Sequence, residues 1–430
     1  MLTLIITCLM CIVLIASILF FPNLRWKNVS TFWIVALGGA VLLVVFKRIG
    51  LSEIAAGLTE DSSINPIKIV VLFLSMTVQS IFLDEVGLFK YCANKTLAHS
   101  KDSQLKLFIY LYLIVSVLTV FTSNDIIILT FTPFICYFSK SAKINPIPFL
   151  FTEFVAANTW SMALIIGNPT NVYLASSNGI GFLEYTKVMA LPTVLGGIAA
   201  LLILFIVFRK NFKEPLSSQN EECRIEDKKL LIIGIVHLAL CTAVLVVSSY
   251  IGIDMWLVTL GFAMSLFVVS TIYLFFSGKS FNILVNSIKR VPWELVPFVI
   301  SMFVFVLCLE KEGISQRLGM ALGEGLSVYK YGAASFLAAN LVNNIPMSVL
   351  FGSVISSVHI NSFLQALYAT VIGSNIGAFF TPIGALAGIM WSGILKKHEI
   401  HFGFTTFILY GLIISVPTLL AALVGLAIVL

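Results

Sequence analysis

Residues 371–391 read VIGSNIGAFFTPIGALAGIMW, an apolar run that polar residues, Gly and Pro interrupt twice. The first interruption is SNIG at 374–377, and the second is TPIG at 381–384. Proline removes a helix donor and glycine permits unusual backbone angles, so a helix through this run should unwind locally. We therefore predict a broken helix over 363–395. The segment 146–178 has the same character because GNPTN at 167–171 interrupts it.

The composition places these broken helices in a membrane. The chain has 430 residues, is 59% hydrophobic and only 11% charged, and has a mean hydropathy of +1.04. Soluble domains are about 25% charged. A soluble enzyme, a nucleic-acid binder and a disordered protein are therefore excluded. We expect an all-α, multi-pass protein of the cell (inner) membrane, with no catalytic residues. Seven scattered cysteines show no metal-ligand spacing, so no metal site is expected.

Further apolar stretches are long enough to span a bilayer. They lie at 2–21, 29–46, 66–83, 187–208, 230–249, 255–276, 293–309 and 404–428. Two other stretches, 105–139 and 330–358, carry polar tips at 122–125 and 343–344 and are interpreted as re-entrant hairpins. With the two broken helices, the sequence predicts about ten spanning helices and two hairpins.

The chain divides into two similar halves. The polar segment 209–229 is predicted to be a cytoplasmic linker between a first repeat, 1–208, and a second, 230–430. Residues 66–87 align with 292–313 at a constant offset of 226. The identical positions in the first copy are Pro66, Ser75, Met76, Leu83 and Gly87. The order of features then recurs, which indicates an internal repeat.

The charges favour an inverted arrangement of the repeats. If both hairpins re-enter, each half crosses the membrane five times, an odd number, so the second half is inverted. A cytoplasmic linker then leaves 19 of the 26 Lys and Arg residues inside and 7 outside. The positive-inside rule expects such an asymmetry. Single full crossings at 105–139 and 330–358 give a smaller asymmetry, so the re-entrant arrangement is favoured.

Inverted repeats with interrupted helices are typical of secondary transporters, which bind substrate where broken helices expose backbone groups. The candidate substrate-binding residues are Ser123, Asn124, Asn158, Asn168, Thr170, Asn171, Asn343, Asn344, Asn375, Thr381 and Gly384. Two intramembrane acids, Asp125 and Glu153, are candidates for ion or proton coupling. The alternatives are a helix N-cap for Asp125 and a structural hydrogen bond for Glu153. Asp84 and its repeat mate Glu310 are expected at solvated helix ends.

Four motifs resemble a known group. They are SNDIIILTFTPF (123–134), FTEFVAANTWSMALIIGNPTN (151–171), NNIP (343–346) and VIGSNIGAFFTPIGALAGIMW (371–391). They look like the ion transporter superfamily, and within it like arsenite/antimonite efflux permeases and related sodium/proton antiporters. The resemblance implies hairpin tips near substrate, at Ser123, Asn124, Asn343 and Asn344, and unwound helices at 167–171 and 381–384.

The function implied is secondary active transport, of the arsenite/antimonite efflux type, by alternating access. The alternatives are a sodium/proton antiporter and an organic-anion (citrate or dicarboxylate) symporter. Dicarboxylate carriers usually have Ser-Asn-Thr at both tips, whereas Asp125 and Ile345 stand at the third positions here. We expect coupling to protons or sodium without a cofactor. Expected partners are a small ion, the bilayer, a second copy in a homodimer and a soluble ATPase subunit, but no nucleic acid.

Overall fold

The computed structural model describes residues 2–20, 25–26, 29–30, 32–59, 65–100, 103–213, 225–323, 325–356 and 360–430. These residues are almost entirely helical, as the composition predicts. The exception is a short antiparallel pair of strands, β1 (Arg25–Trp26) and β2 (Val29–Ser30), which the all-α expectation did not include. Most of the predicted linker, 214–224, lies outside the described residues.

The helices of the first half follow the predicted apolar segments, with short helices between them. They are α1 Leu2–Phe20, α2 Phe32–Val45, α3 Leu51–Thr59, α4 Pro66–Glu85, α5 Leu88–Ser100, α6 Gln104–Phe121, α7 Asn124–Ala142, α8 Ile147–Trp160, α9 Pro169–Ser176 and α10 Phe182–Phe208. Two short 3-10 turns, Ser161–Ala163 and Ile165–Gly167, separate α8 from α9.

The helices of the second half come in the same order of long and short elements. They are α11 Lys228–Ile251, α12 Met255–Phe276, α13 Asn282–Lys289, α14 Leu295–Lys311, α15 Ile314–Leu322, α16 Ser327–Val342, α17 Asn344–Ser356, α18 Ile360–Gly377, α19 Leu386–Lys397 and α20 Phe404–Val429. Helix for helix, α1–α10 correspond to α11–α20. This order is consistent with the predicted repeat, and the inverted orientation of the second half stays a prediction.

Equivalent helices of the two halves make equivalent contacts with the other half. Helix α2 packs against α14, and its counterpart α12 packs against α4. In the same way α9 packs against α17, and its counterpart α19 packs against α7. The final helices of the halves, α10 and α20, pack along each other. Contacts between the halves therefore join the segments that follow the two helix breaks, α9 and α19, to α17 and α7.

Six described helices are long and apolar enough to cross a membrane: α4, α6, α10, α12, α20 and the part of α11 over Lys228–Ser248. Five of them coincide with predicted crossings. The sixth, α6, is the first arm of the predicted hairpin at 105–139, and its re-entry stays a prediction. Other predicted crossings are shorter, with 14 residues in α2 and 17 in α14. Large apolar side chains on the long helices, such as Leu202, Ile232 and Phe275, are more than half exposed, as lipid contact requires.

The end of α4 differs from the expectation. Asp84 was predicted at a solvated helix end, but its side chain is only 9% exposed and pairs with Arg290, which follows α13. The same guanidinium binds Glu85 at 2.5 Å, and Thr130 of α7 donates a hydrogen bond of 2.8 Å to Asp84. The prediction failed because the sequence around a helix end does not show which charged residues from distant segments will pack against it. Its repeat mate Glu310 is exposed, as predicted, and has no partner among the described residues.

Candidate substrate site

The first tip, residues 122–125, separates α6 from α7 and is buried. Ser123 occupies the N-cap position of α7, yet its buried hydroxyl has no hydrogen-bond partner among the described residues. Asn124 donates a hydrogen bond of 3.0 Å from Nδ2 to Oδ1 of Asn158 on α8. Its own Oδ1 accepts the backbone N–H of Asp125 at 3.0 Å. The tip is thereby fixed to the helix that leads into the first break.

The first break, residues 161–168, is held by side chains that take over lost helix hydrogen bonds. Asn168 caps α9, because its Oδ1 accepts the backbone N–H and the hydroxyl of Thr170, both at 3.1 Å. Asn171 donates to the carbonyl of Ser161 at 2.8 Å. Gly167 lies so close to that carbonyl that a Cβ would meet it at 2.2 Å. Only glycine fits at 167 without moving the break.

Asn375 of α18 joins the two halves. Its Oδ1 accepts the hydroxyl of Ser161 at 2.9 Å and Nδ2 of Asn168 at 3.0 Å. Its Nδ2 donates to Oδ1 of Asn171 at 2.7 Å and to the carbonyl of Val371 at 2.8 Å. The side chain is fully buried. One residue of the second half therefore closes the hydrogen bonding of the first break.

The second break, residues 378–385, is held in a comparable way. Oδ1 of Asn340 on α16 accepts the backbone N–H of Thr381 at 3.1 Å and its hydroxyl at 2.6 Å. Nδ2 of Asn340 donates to the carbonyl of Gly377, where α18 ends, at 3.0 Å. A carboxamide again replaces the missing helix partners on both sides of a break.

The second tip, residues 343–344, contacts the second break directly. The backbone N–H of Asn344 donates to the carbonyl of Gly384 at 3.0 Å, and Nδ2 of Asn343 donates to the carbonyl of Ile383 at 3.1 Å. Asn343 has a φ of 74°, a left-handed conformation that asparagine tolerates better than most residues. The side chain of Asn344 makes no hydrogen bond with the described residues.

The structure thus buries all eleven predicted substrate-binding residues at the tips and breaks. Their hydrogen bonds run from Asn124 through Asn158, Ser161 and Asn375 to the first break, while the second tip and break form an adjacent group. Sequence reasoning missed Ser161 and Asn340. Asn340 carried a usable signal, because it is an amide three residues before a predicted tip, inside an apolar helix.

Asp125 is the second residue of α7, so the N-cap interpretation is wrong: the cap position belongs to Ser123. Its half-buried carboxylate has no hydrogen-bond or ion-pair partner among the described residues. No Lys or Arg side chain in the described ranges bonds to any residue of the tips or breaks. An acid without a counter-ion at such a tip favours cations or neutral solutes.

Glu153 is fully buried on α8, away from the tips. The hydroxyl of Thr132 on α7 lies 3.2 and 3.1 Å from its two carboxylate oxygens. The indole N–H of Trp391 on α19 lies beside the same carboxylate without reaching hydrogen-bond geometry. Glu153 therefore lies where α7, α8 and α19 of the two halves meet. Both predicted roles, proton coupling and a structural hydrogen bond, are compatible with this position.

A helical, multi-pass membrane protein whose broken helices enclose buried polar groups between two halves is a secondary transporter, and this one is a member of the ion transporter superfamily. The sequence profile of the CitMHS family, described as citrate transporter, matches residues 9–367. The chain therefore belongs to that family. Its fold is similar to the crystal structure of the Alcanivorax borkumensis YdaH transporter, with a TM-score of 0.55, 13% identity, and coverage of 99% of this chain and 97% of that one.

Curated relatives are named for arsenical transport rather than for citrate transport. The arsenical pump membrane protein of Escherichia coli (strain K12) is 28% identical over 371 residues, which cover 83% of this chain and 85% of that protein. The putative arsenical pump membrane protein of Bacillus subtilis (strain 168) is 26% identical over 383 residues, with 82% and 85% covered. These similarities extend over most of both chains.

Proposed function

We propose that this transporter exports arsenite or antimonite by alternating access. The observation that carries the proposal is the buried set of amide and hydroxyl groups at the tips and breaks, to which no described Lys or Arg bonds. Arsenite at neutral pH is mainly a neutral trihydroxide, and amides and hydroxyls can both donate to and accept from its hydroxyls. The names of the relatives from Escherichia coli and Bacillus subtilis support the same substrate class.

Three polar groups are free to take part in binding. The Ser123 and Ser374 hydroxyls are buried without a partner among the described residues, and the Asn344 carboxamide is also unengaged. Buried polar groups are normally hydrogen-bonded, so an unpaired group beside a break is a candidate for substrate contact. Asn375, in contrast, already uses both donors and both acceptor positions. It frames the site rather than binding the solute.

Coupling to protons or sodium is part of the proposal, with Asp125 and Glu153 as the coupling groups. Intramembrane acids are costly and commonly mark ion or proton pathways. Asp125 has no counter-ion among the described residues, and Glu153 on α8 contacts the hydroxyl of Thr132 on α7, so either carboxylate can change its protonation without breaking an ion pair found there. We also propose that the protein forms a homodimer and, like some relatives of its superfamily, works alone or with a soluble ATPase.

A second candidate function is organic-anion symport or sodium/proton antiport, and the citrate-transporter description of the family favours the former. Helix α7 begins at the first tip, so its N-terminus is available to an anion, whereas the Asn344 and Ile345 N–H groups that open α17 are already bonded within the protein. A dianion would then rely on helix N-termini and co-bound cations. The unpaired carboxylate of Asp125 disfavours that arrangement.

The deciding experiment uses everted membrane vesicles. They are tested for arsenite uptake, sodium-driven proton movement and citrate exchange, each with a proton gradient alone and with ATP plus soluble cell extract. We expect arsenite uptake, abolished in Asn344→Ala and unchanged in Asn94→Ala, whose amide is exposed on α5 and bonds only to its own helix. Citrate exchange without arsenite flux would replace the first function by the second. Intact fluxes in Asn344→Ala would refute the proposed site.

Coupling is tested with isosteric amides. Asp125→Asn and Glu153→Gln each mimic a protonated acid, so the variant of the coupling residue should keep arsenite exchange but lose its response to a proton or sodium gradient. Glu399→Gln is the matched control, because Glu399 is an exposed acid whose single ion pair with the described residues is at 3.9 Å. If both variants respond to the gradients as the wild type does, neither acid is the coupling group.

A further inference from the structure

A crevice of about 180 Å³ lies beside the end of α9, away from the residues of the tips and breaks. Its lining combines polar groups of three segments: Asn178 after α9, Ser353 and Ser356 of α17, and Glu310 of α14. Tyr173 of α9 forms part of the same wall. This crevice is open enough to admit water and small solutes.

A second, much smaller space of about 20 Å³ is also lined by Tyr173. It is lined by Pro169, where α9 begins after the first break, and by Ile345 and Ser348, just beyond the second tip. Tyr173 is the one residue that lines both spaces. Pro169 and Tyr173 are four positions apart, so about one helical turn connects the break to the wall of the crevice.

The ring of Tyr173 is fitted closely between the two spaces. It is 5% exposed, and a Cβ on Gly352 of α17 would lie 3.0 Å from its Cε1. Glycine at 352 therefore lets the ring lie close against α17. Ser348 lines the smaller space and Ser353 lines the crevice, and the two serines are about 7.5 Å apart along α17.

The charge that lines the crevice is negative. Glu310 is its only charged lining residue, and its carboxylate has no partner among the described residues. Its repeat mate Asp84 is neutralised by Arg290 and bound by Thr130. An unneutralised carboxylate at the mouth of a narrow space repels anions and leaves neutral or cationic solutes unhindered.

We propose that this crevice is the vestibule through which solute reaches the tips, that the Tyr173 ring limits the size of solute that passes, and that Glu310 selects against anions. This inference rests on the proposed transport function and specifies its substrate class: small, neutral, hydroxylated solutes or cations pass more readily than polycarboxylates. Tyr173 and Glu310 are specificity-determining residues of the route, while the solute is held by the amide and hydroxyl groups beyond the ring.

The test measures thiol reactivity in nanodiscs, where both faces are accessible, in a background with the seven native cysteines replaced. Ser353→Cys reports the vestibule, and Ser348→Cys reports the space beyond the ring. With a polar methanethiosulfonate reagent, Ser353→Cys should react readily and Ser348→Cys slowly. Tyr173→Leu should speed the reaction of Ser348→Cys about tenfold or more, since sparsely populated open states account for about 0.1–10% of molecules. Tyr173→Phe keeps the ring and should leave the protection unchanged.

The charge is tested with paired reagents of similar size and opposite sign. At Ser353→Cys the cationic reagent should react faster than the anionic one, and Glu310→Gln should reduce this ratio about fivefold or more, as close charge pairs at intermediate dielectric imply. Asp254→Asn, in the neighbouring cleft lined by Lys68 and Trp256, is the control and should not change it.

Equal reactivity of Ser348→Cys with and without the ring, or an unchanged charge ratio in Glu310→Gln, would overturn the inference. Labelling requires no transported substrate, so these outcomes are separate from those of the vesicle experiment. If Tyr173→Leu misfolds, Gly352→Ala provides an independent route, because it displaces the ring by contact at 3.0 Å while keeping the tyrosine. Its Ser348→Cys derivative should also react faster than the parent.

Discussion

At the scale of single residues, the polar groups of the site divide according to spare hydrogen-bonding capacity. A carboxamide offers two donors and two acceptor positions, and Asn375 uses all four within the protein. Asn344, Ser123 and Ser374 keep capacity unused. A fully used group can bind solute only by giving up a protein contact. Fully bonded groups such as Asn375 therefore shape the breaks. Groups with unused hydrogen-bonding capacity, such as Asn344, are available to a solute.

The role of Asn375 as a frame is testable through stability. Asn375→Ala removes partners from Asn168 and Asn171 inside the protein and should lower the free energy of unfolding by about 2 kcal/mol, because unpaired buried groups are costly. Asn94→Ala, at an exposed amide, should change it by less than about 0.5 kcal/mol. Titration with SDS in mixed micelles measures both. Equal stability of the two variants would mean that the first break does not depend on Asn375.

The sequence predicted which polar residues are buried in the membrane region but not how they pair. Asn158 and Asn375 lie on the corresponding helices α8 and α18, yet Asn158 bonds to the tip of its own half while Asn375 bonds to the break of the other half. Residue type and depth in an apolar run are visible in one dimension. The partner of a buried amide depends on how helices from different halves pack, which no local pattern encodes.

At the scale of elements, the breaks were predictable because Pro, Gly and Asn in apolar runs have no other stable place in a membrane. The short helices α3, α5, α13 and α15 were not predicted. Each has 8 to 13 residues and mixed polarity, so neither the length nor the hydropathy that marks a spanning segment was present. The predicted linker also ends early, because Asp227 caps α11 and the helix begins at Lys228.

The break at 161–168 depends on the absence of a side chain at Gly167. Gly167→Ala places a Cβ 2.2 Å from the carbonyl oxygen of Ser161, where only backbone movement can relieve the contact. We expect a loss of about 1–3 kcal/mol in stability and loss of transport. Gly261→Ala in α12 meets nothing within 4 Å and should gain up to about 1 kcal/mol, since alanine is the better helix former. Normal transport by Gly167→Ala would show that the close contact between residue 167 and the Ser161 carbonyl is not essential.

The start of α11 should respond to pH through Asp227. Burial by itself would raise the pKa of Asp227, but hydrogen bonds from Lys279, the Leu230 N–H and Tyr273 outweigh it and hold the pKa below the ordinary value of 3.8. Because the folded pKa is depressed, the ionised side chain stabilises fully above pH 3.8, and this contribution is lost as the pH falls through the folded pKa.

Two variants at Asp227 separate capping from charge. Asp227→Asn keeps an oxygen for the Lys229 and Leu230 N–H groups but loses the charge, so its stability deficit should be present at pH 7 and shrink below pH 3.8. Asp227→Ala should cost about 1 kcal/mol more at every pH because the cap is lost. Thermal unfolding between pH 3 and 7 measures both. A deficit of Asp227→Asn that does not change with pH would contradict the assignment.

At the scale of the whole molecule, the ends of the two equivalent helices α4 and α14 are in different states. At the end of α4, Arg290 from the second half binds Asp84 and Glu85, and Thr130 ties α7 to Asp84. At the end of α14, Glu310 has no ion-pair partner in the described part of the chain and borders the 180 Å³ crevice. A transporter that alternates access must close one route while the other is open. Under the proposed alternating access, we therefore expect the paired end to be the closed one and the end with the crevice to be the open one.

The closed end should loosen when its links are removed. Thr130→Val keeps the shape of the side chain but loses the hydrogen bond to Asp84, and Arg290→Gln removes the charge that both acids share. A hydrogen bond to a charged group contributes about 1.5–3 kcal/mol, enough to shift a closed–open equilibrium about tenfold or more. We expect faster amide hydrogen exchange in α7 and slower exchange around the crevice in both variants, as the open population moves to the other end. Arg317→Gln, an exposed arginine on α15 with no ion pair among the described residues, should change neither. Faster exchange at both ends would indicate simple destabilisation, and unchanged exchange in α7 would show that the Asp84 cluster does not hold this end closed.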